Sequence, residues 1–202
     1  MSREIIAILR GVQPHEVLEI GRVLVDAGID RIEVPLNSPD PLRSIEMLAN
    51  EFAGQATLGA GTVLEPAQVA DVKNAGGTLI VSPDCNPAVI DKTKELNMLS
   101  YPGVATPTEC FTALRHGADG LKFFPASLIG PSGLAAISAV LPKGTKTYAV
   151  GGADPSNFAD WFRVGATGFG IGSGIYKVGF TAADVAAKAS EIVSAYDAGK
   201  SA

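Results

Sequence analysis

Lys146–Ser173 reads KTYAVGGADPSNFADWFRVGATGFGIGS. It holds an apolar run, a double-glycine turn, an amphipathic stretch and a second apolar run that again ends on glycines. Neither run alternates polar with apolar residues, which is the pattern of a parallel strand buried on both faces. Between them Phe158, Trp161 and Val164 recur at helical spacing and read as packing residues. Asp154-Pro155-Ser156-Asn157 carries the chemistry of a helix start, and Val164-Gly165 that of a left-handed helix stop. An open doubly wound sheet usually places its phosphate loop after the first strand. Here the glycine-rich turns follow the last two strands, where closed barrels carry theirs.

The same unit recurs upstream. Apolar runs start at Ile5 (IIAILRG), Arg31 (RIEVPL), Thr57 (TLGAGTV), Thr78 (TLIVSP), Met98 (MLSYPGV) and Gly120 (GLKFFPA). With the two above they make about eight strands, each followed by a helical segment, at roughly 25 residues per unit. Helices are expected from Glu16, where Val17, Ile20, Leu24 and Ala27 share a face, near Pro41, Pro66, Pro87, Pro107, Pro131 and Asn157, and from Thr181 towards Ala198. Gly28, Gly76 and Gly117 close three of them. No linker divides the chain. The fold expected is a single domain over residues 1–202, of α/β class: a parallel eight-stranded (β/α)8 TIM barrel with outer helices.

Composition narrows the partners. With 16 Lys and Arg against 21 Asp and Glu, the net charge is -5, the wrong sign for a nucleic-acid or anionic-membrane surface. Cys85 and Cys110 are too few for a disulfide framework, and no Cys/His cluster has metal-ligand spacing. Neither a signal pattern nor a long unbroken apolar run is found, so a soluble, cytoplasmic protein is expected. His15 and His116, beside Pro14 and Gly117, read as surface or capping residues.

Chemistry in such a barrel gathers at the C-terminal ends of the strands. Lys122 interrupts the apolar run Leu121-Lys122-Phe123-Phe124-Pro125. It either snorkels to the rim or is an amine whose pKa is lowered by apolar surroundings until it can attack a carbonyl. Moving an ammonium from ~10.4 to ~7.5 corresponds to about 4 kcal/mol of differential solvation, which a barrel interior can supply and a surface cannot. Glu33, between Ile32 and Val34, is either an internal ion-pair partner of Lys122 or Arg10, or a proton shuttle. Arg10 is a rim charge or an anion clamp, and Gly59-Ala60-Gly61-Thr62 is a tight turn or a close backbone approach to a ligand. Val150-Gly151-Gly152 and Gly170-Ile171-Gly172-Ser173 are turns alone or an anion site built of exposed amides. Neither GxGxxG nor GxxxxGK[ST] occurs, so NAD and ATP have no support.

Taken in order, IIAILRG, the Glu33 strand, GAGTVL, SYPGVATPTE, LKFFPA and AVGG resemble the class I KDPG/KHG aldolases over nearly the whole chain. Within that family the stretch EVPLNSP from Glu33 is similar to the galactonate branch; the gluconate type has an arginine where Asn37 stands. The resemblance implies lysine-dependent cleavage of a phosphorylated 2-keto-3-deoxy sugar acid, without a cofactor or metal, by a homotrimer. It implies Lys122 as the Schiff-base residue and Glu33 as the acid/base. It also implies Arg10, Asn37, Gly61, Thr62, Pro83 and Phe124 around the substrate, with Val150, Gly151, Gly152, Gly172 and Ser173 at its phosphate. The gluconate-type (Entner–Doudoroff) aldolase, a phosphosugar isomerase or epimerase, and a non-catalytic sugar-phosphate-binding barrel are the alternatives.

Overall fold

Strand β1 (Ile5–Ile8) shows how a run with no polar residue is used: Ile6 and Ile8 point into the barrel, while Ile5 and Ala7 face the surrounding helices. Period-two geometry splits every strand in this way. The computed structural model describes residues 3–201. Its strands are β1, β2 (Arg31–Pro35), β3 (Thr57–Gly61), β4 (Leu79–Val81), β5 (Leu99–Tyr101), β6 (Gly103–Val104), β7 (Leu121–Phe123), β8 (Thr147–Val150) and β9 (Gly168–Ile171). All pairings are parallel, in the order β5-β4-β3-β2-β1-β9-β8-β7-β6.

The single run expected at Met98–Val104 is two strands, because Pro102 has no N–H to give the ladder. Its carbonyl still accepts from the Lys122 amide at 2.9 Å, and the Ser100 carbonyl accepts from Asp119 at 3.0 Å. On the other side the Tyr101 carbonyl accepts from Ser82 at 3.2 Å. This broken strand therefore bonds to both neighbours, and the eight-strand barrel closes across it.

The helices are α1 (Val17–Asp26), α2 (Pro41–Glu51), α3 (Pro66–Asn74), α4 (Pro87–Glu95), α5 (Pro107–Arg115), α6 (Ala126–Ser138), α7 (Phe158–Arg163) and α8 (Ala182–Ser201). Proline at the first helical position opens α2 to α5. Gly28, Gly76, Gly117 and Gly165 all lie at positive φ just past helix ends, as expected of stops. One start differs from expectation. Pro131 lies inside α6, which begins at Ala126 and breaks at Gly130 (φ 65°, ψ 166°), so the proline restarts a helix already begun.

Two apolar cores result. The larger lies between sheet and helices and includes Val17, Ile20, Leu24, Phe158 and Trp161. The smaller fills the barrel itself with Ile6, Ile8, Leu79, Val81, Tyr101, Tyr148 and Val150. Its lower end is tied by Glu4, which accepts from the Tyr148 hydroxyl at 2.6 Å and pairs with Arg31 at 3.2 Å and Lys146 at 3.4 Å. The upper, C-terminal end of the strands is open.

Candidate active site

The two buried charged side chains in the barrel strands come from the inward-facing centres of β2 and β7. Lys122 is 7% exposed and Glu33 2%. Lys122 lies between Leu121 and Phe123, whose side chains face outward into the larger core, so strand alternation sends the lysine inward. Its Nζ lies 4.8 Å from the centre of the Phe124 ring. Among the described residues it has no hydrogen bond and no ion pair. Burial pushes its pKa below the ordinary lysine value and the Arg10 charge adds to that, while Glu33 pulls the other way. Lys122 touches both the packed interior and an open cavity above it, and so forms that cavity's floor.

Glu33 sits in the interior beside Lys122. Burial raises its pKa to about 7, against the opposing pull of Lys122 and Arg10. Its Oε2 has no hydrogen-bond partner among the described residues. In the parallel pairing with β3, Glu33 lies opposite Gly59, and its side chain reaches along the barrel to Gly61, where a Cβ would lie 1.6 Å from Oε2. Glycine is required there because the carboxylate occupies the space a side chain would fill.

The cavity holds about 200 Å³ and is lined from the C-terminal ends of β1, β3, β4, β7, β8 and β9. Arg10, Thr62, Pro83 and Phe124 lie around it, with Val150–Ala153 and Gly170–Gly174 on one flank. Thr62 is at φ 58°, a left-handed conformation rare for a β-branched residue. Its Oγ1 accepts from Arg10 Nη1 at 3.5 Å. Asn37 does not line the cavity; its Oδ1 accepts from the same Arg10 nitrogen. Gly61 is likewise off the cavity wall, against Glu33.

The glycine turns offer donors. The amides of Gly152, Ala153, Ser173 and Gly174 have no acceptor among the described residues. Gly151 and Gly152 lie at φ 77° and 115°. The Gly151 carbonyl accepts from the Ser127 amide at 2.8 Å, and a Cβ on Gly152 would fall 2.9 Å from that nitrogen. The turn is thereby pinned against the first turn of α6. Asn157 Nδ2 donates to the Gly152 carbonyl at 3.0 Å and holds it from the other side. An anion seated there meets free backbone amides in a concave turn. Sequence reading passed over Ala153, Gly174, Ser127 and Asn157; only Asn157 carried a signal, read as helix-start chemistry.

His116 caps α5 and pairs with Asp91 at 2.7 Å, and His15 is exposed; neither reaches the cavity. Cys85 and Cys110 are free, and burial raises both thiols above their ordinary pKa. Among the described residues no group of three His, Cys, Asp or Glu could hold a metal, and no helix is long and apolar enough to cross a membrane.

A parallel barrel with a desolvated lysine under an anion-ready mouth fits an aldolase, a carbon–carbon lyase, and similarity to known proteins gives that class. Residues 1–192 match the family model described as KDPG and KHG aldolase, and the chain belongs to that family. It is 49% identical to a probable 2-dehydro-3-deoxy-6-phosphogalactonate aldolase of Rhizobium meliloti (strain 1021), over 98% of this chain and 93% of that one. It is 43% identical to the 2-dehydro-3-deoxy-6-phosphogalactonate aldolase of Escherichia coli (strain K12), over 95% and 94%. A solved structure described as native KDPGal superposes with a TM-score of 0.98 at 41% identity, covering 100% of this chain and 98% of that one.

Proposed function

We propose that this protein is a class I aldolase that cleaves 2-dehydro-3-deoxy-6-phosphogalactonate to pyruvate and D-glyceraldehyde 3-phosphate. The observation that carries this reading is Lys122, buried and without an ion pair at the floor of the cavity.

The neutral amine of Lys122 adds to the C2 ketone, and the carbinolamine loses water to give a protonated imine. Glu33, as carboxylate, takes the proton of the C4 hydroxyl. The C4 oxygen becomes the aldehyde carbonyl as the C3–C4 bond breaks, and that bond's electrons pass to the iminium to leave an enamine. The aldehyde phosphate departs, C3 takes a proton, and water adds to the imine to release pyruvate and restore the amine. A carboxyl group near pKa 7 can act in both directions at neutral pH. Gly152, Ala153, Ser173 and Gly174 hold the phosphate at the far end, remote from the breaking bond, where its binding positions the reacting carbons. Thr62 and Arg10 receive the carboxylate, and Pro83 and Phe124 wall the pyruvyl group. The active form is a homotrimer; exposed apolar residues such as Leu128 and Val140 support association.

The test compares release of pyruvate from the two C4 epimers of the substrate. The galactonate-derived epimer is expected to react faster by at least about tenfold, as pocket contacts worth 1–3 kcal/mol allow. A preference for the gluconate-derived epimer would overturn the substrate assignment. Lys122→Met is expected to abolish cleavage and keep the fold; cleavage near the wild-type rate would overturn the mechanism. Light scattering is expected to give the mass of three chains, and a monomer mass would refute the trimer.

A further inference from the structure

Arg10 is the exposed cation at the cavity mouth, yet among the described residues no carboxylate touches it. Its Nη1 is held by the amide oxygen of Asn37 and, more loosely, by the Thr62 hydroxyl at 3.5 Å. Both acceptors are neutral. A guanidinium has five donors, so these two contacts fix its direction and leave other N–H groups unused. The loop that carries Asn37 is itself anchored: Ser38 is buried and its Oγ accepts from the Gly11 amide at 2.9 Å, and the Ser38 amide donates to the Pro35 carbonyl at 2.9 Å. The β2–α2 loop is thus stapled to the end of β1 at two adjacent points, Arg10–Asn37 and Gly11–Ser38.

We infer that Asn37 is a positioning residue that acts through Arg10: it orients the guanidinium over the cavity with a neutral acceptor, so that the positive charge stays free for the substrate's carboxylate. An aspartate in its place would hold Arg10 in the same direction and cancel its charge. Thr62, which accepts from the same guanidinium nitrogen, lines the cavity together with Arg10 and the amide-rich glycine turns.

The inference rests on the Schiff-base reading above, and the experiment separates the two. Pyruvate and the uncharged methyl pyruvate are each titrated into the full-length protein with borohydride, and the concentration for half-maximal trapping is read for wild type, Asn37→Asp and Asn37→Ala. In wild type both compounds are expected to trap at Lys122; trapping of neither would overturn the Schiff-base reading. Asn37→Asp is expected to raise the ratio of the pyruvate value to the methyl pyruvate value by at least about tenfold, the loss of one charge-assisted contact. Asn37→Ala, which removes the acceptor and adds no charge, is expected to raise it less. An Asn37→Asp ratio equal to wild type, or a larger effect from alanine than from aspartate, would overturn the inference while leaving Lys122 in place.

Discussion

Lys122 and Glu33 are each held where their charged forms are poorly solvated, and that strain has a measurable sign. Glu33 has a folded-state pKa of about 7 against an ordinary 4.5, so the folded protein binds a proton more tightly than the unfolded chain between these values. Stability therefore falls as pH rises from about 4.5 to 7 and stays lowered above. Glu33→Gln removes that loss. In urea unfolding the variant is expected to match wild type near pH 4.5 and to exceed it at pH 8 by up to about 3 kcal/mol. The same change is expected to slow cleavage about 100-fold while imine trapping is largely kept. Equal loss of both would mark Glu33 as a structural residue only. Gly61→Ala tests the neighbouring position: its Cβ would lie 1.6 Å from the carboxylate, so Glu33 must swing aside. Cleavage is expected to drop about 100-fold, in line with a misplacement of about 1 Å, and circular dichroism to be unchanged. Lys122 and Glu33 were legible in sequence because a charge inside an apolar run is conspicuous. The partnership of Gly61 with Glu33 was not, since it depends on strand pairing and on how the glutamate side chain leans past Gly59 to reach it.

At the scale of elements, most helix starts could be read because proline and a polar cap mark them locally. In α5, Thr106 accepts from the Glu109 amide at 3.3 Å and the Glu109 carboxylate accepts from the Thr106 amide at 2.9 Å, a reciprocal cap. Thr106→Ala is expected to cost about 1 kcal/mol in thermal unfolding with activity unchanged; no loss of stability would mean the cap is idle. The misplaced start at Pro131 follows from the same rule applied where Gly130 interrupts a helix already under way. Pro102 divides a strand for an equally local reason, yet the ladder on both sides is tertiary. The pinning of Gly152 against Ser127 is tertiary as well, and left no mark in either stretch. Gly152→Ala is expected to raise KM for the phosphorylated aldehyde in the condensation direction at least about tenfold without altering pyruvate trapping. A matching loss of pyruvate trapping would show that this turn shapes the whole cavity.

Across the whole molecule the barrel is closed at one end and open at the other. Burial raises the Glu4 carboxyl, but the Tyr148 hydroxyl, Arg31 and Lys146 outweigh it and hold the group below the ordinary glutamate value. Its contribution is therefore full above the unfolded value and is lost as pH falls through the lowered one. Glu4→Gln is expected to lose about 1.5–3 kcal/mol at pH 7, with the gap to wild type closing in acid; a gap independent of pH would assign the effect to packing. The chain carries a net charge of -5, yet its open end presents Arg10, the Lys122 amine and free backbone amides to an anion. The division of labour, a sealed base and a receptive mouth, depends on one nitrogen remaining nucleophilic between them. The direct measurement is reduction by borohydride in the presence of pyruvate, followed by mass spectrometry of the digested protein. Modification confined to the peptide bearing Lys122 is the result this account predicts. Active protein modified at another lysine, or at none, would contradict it.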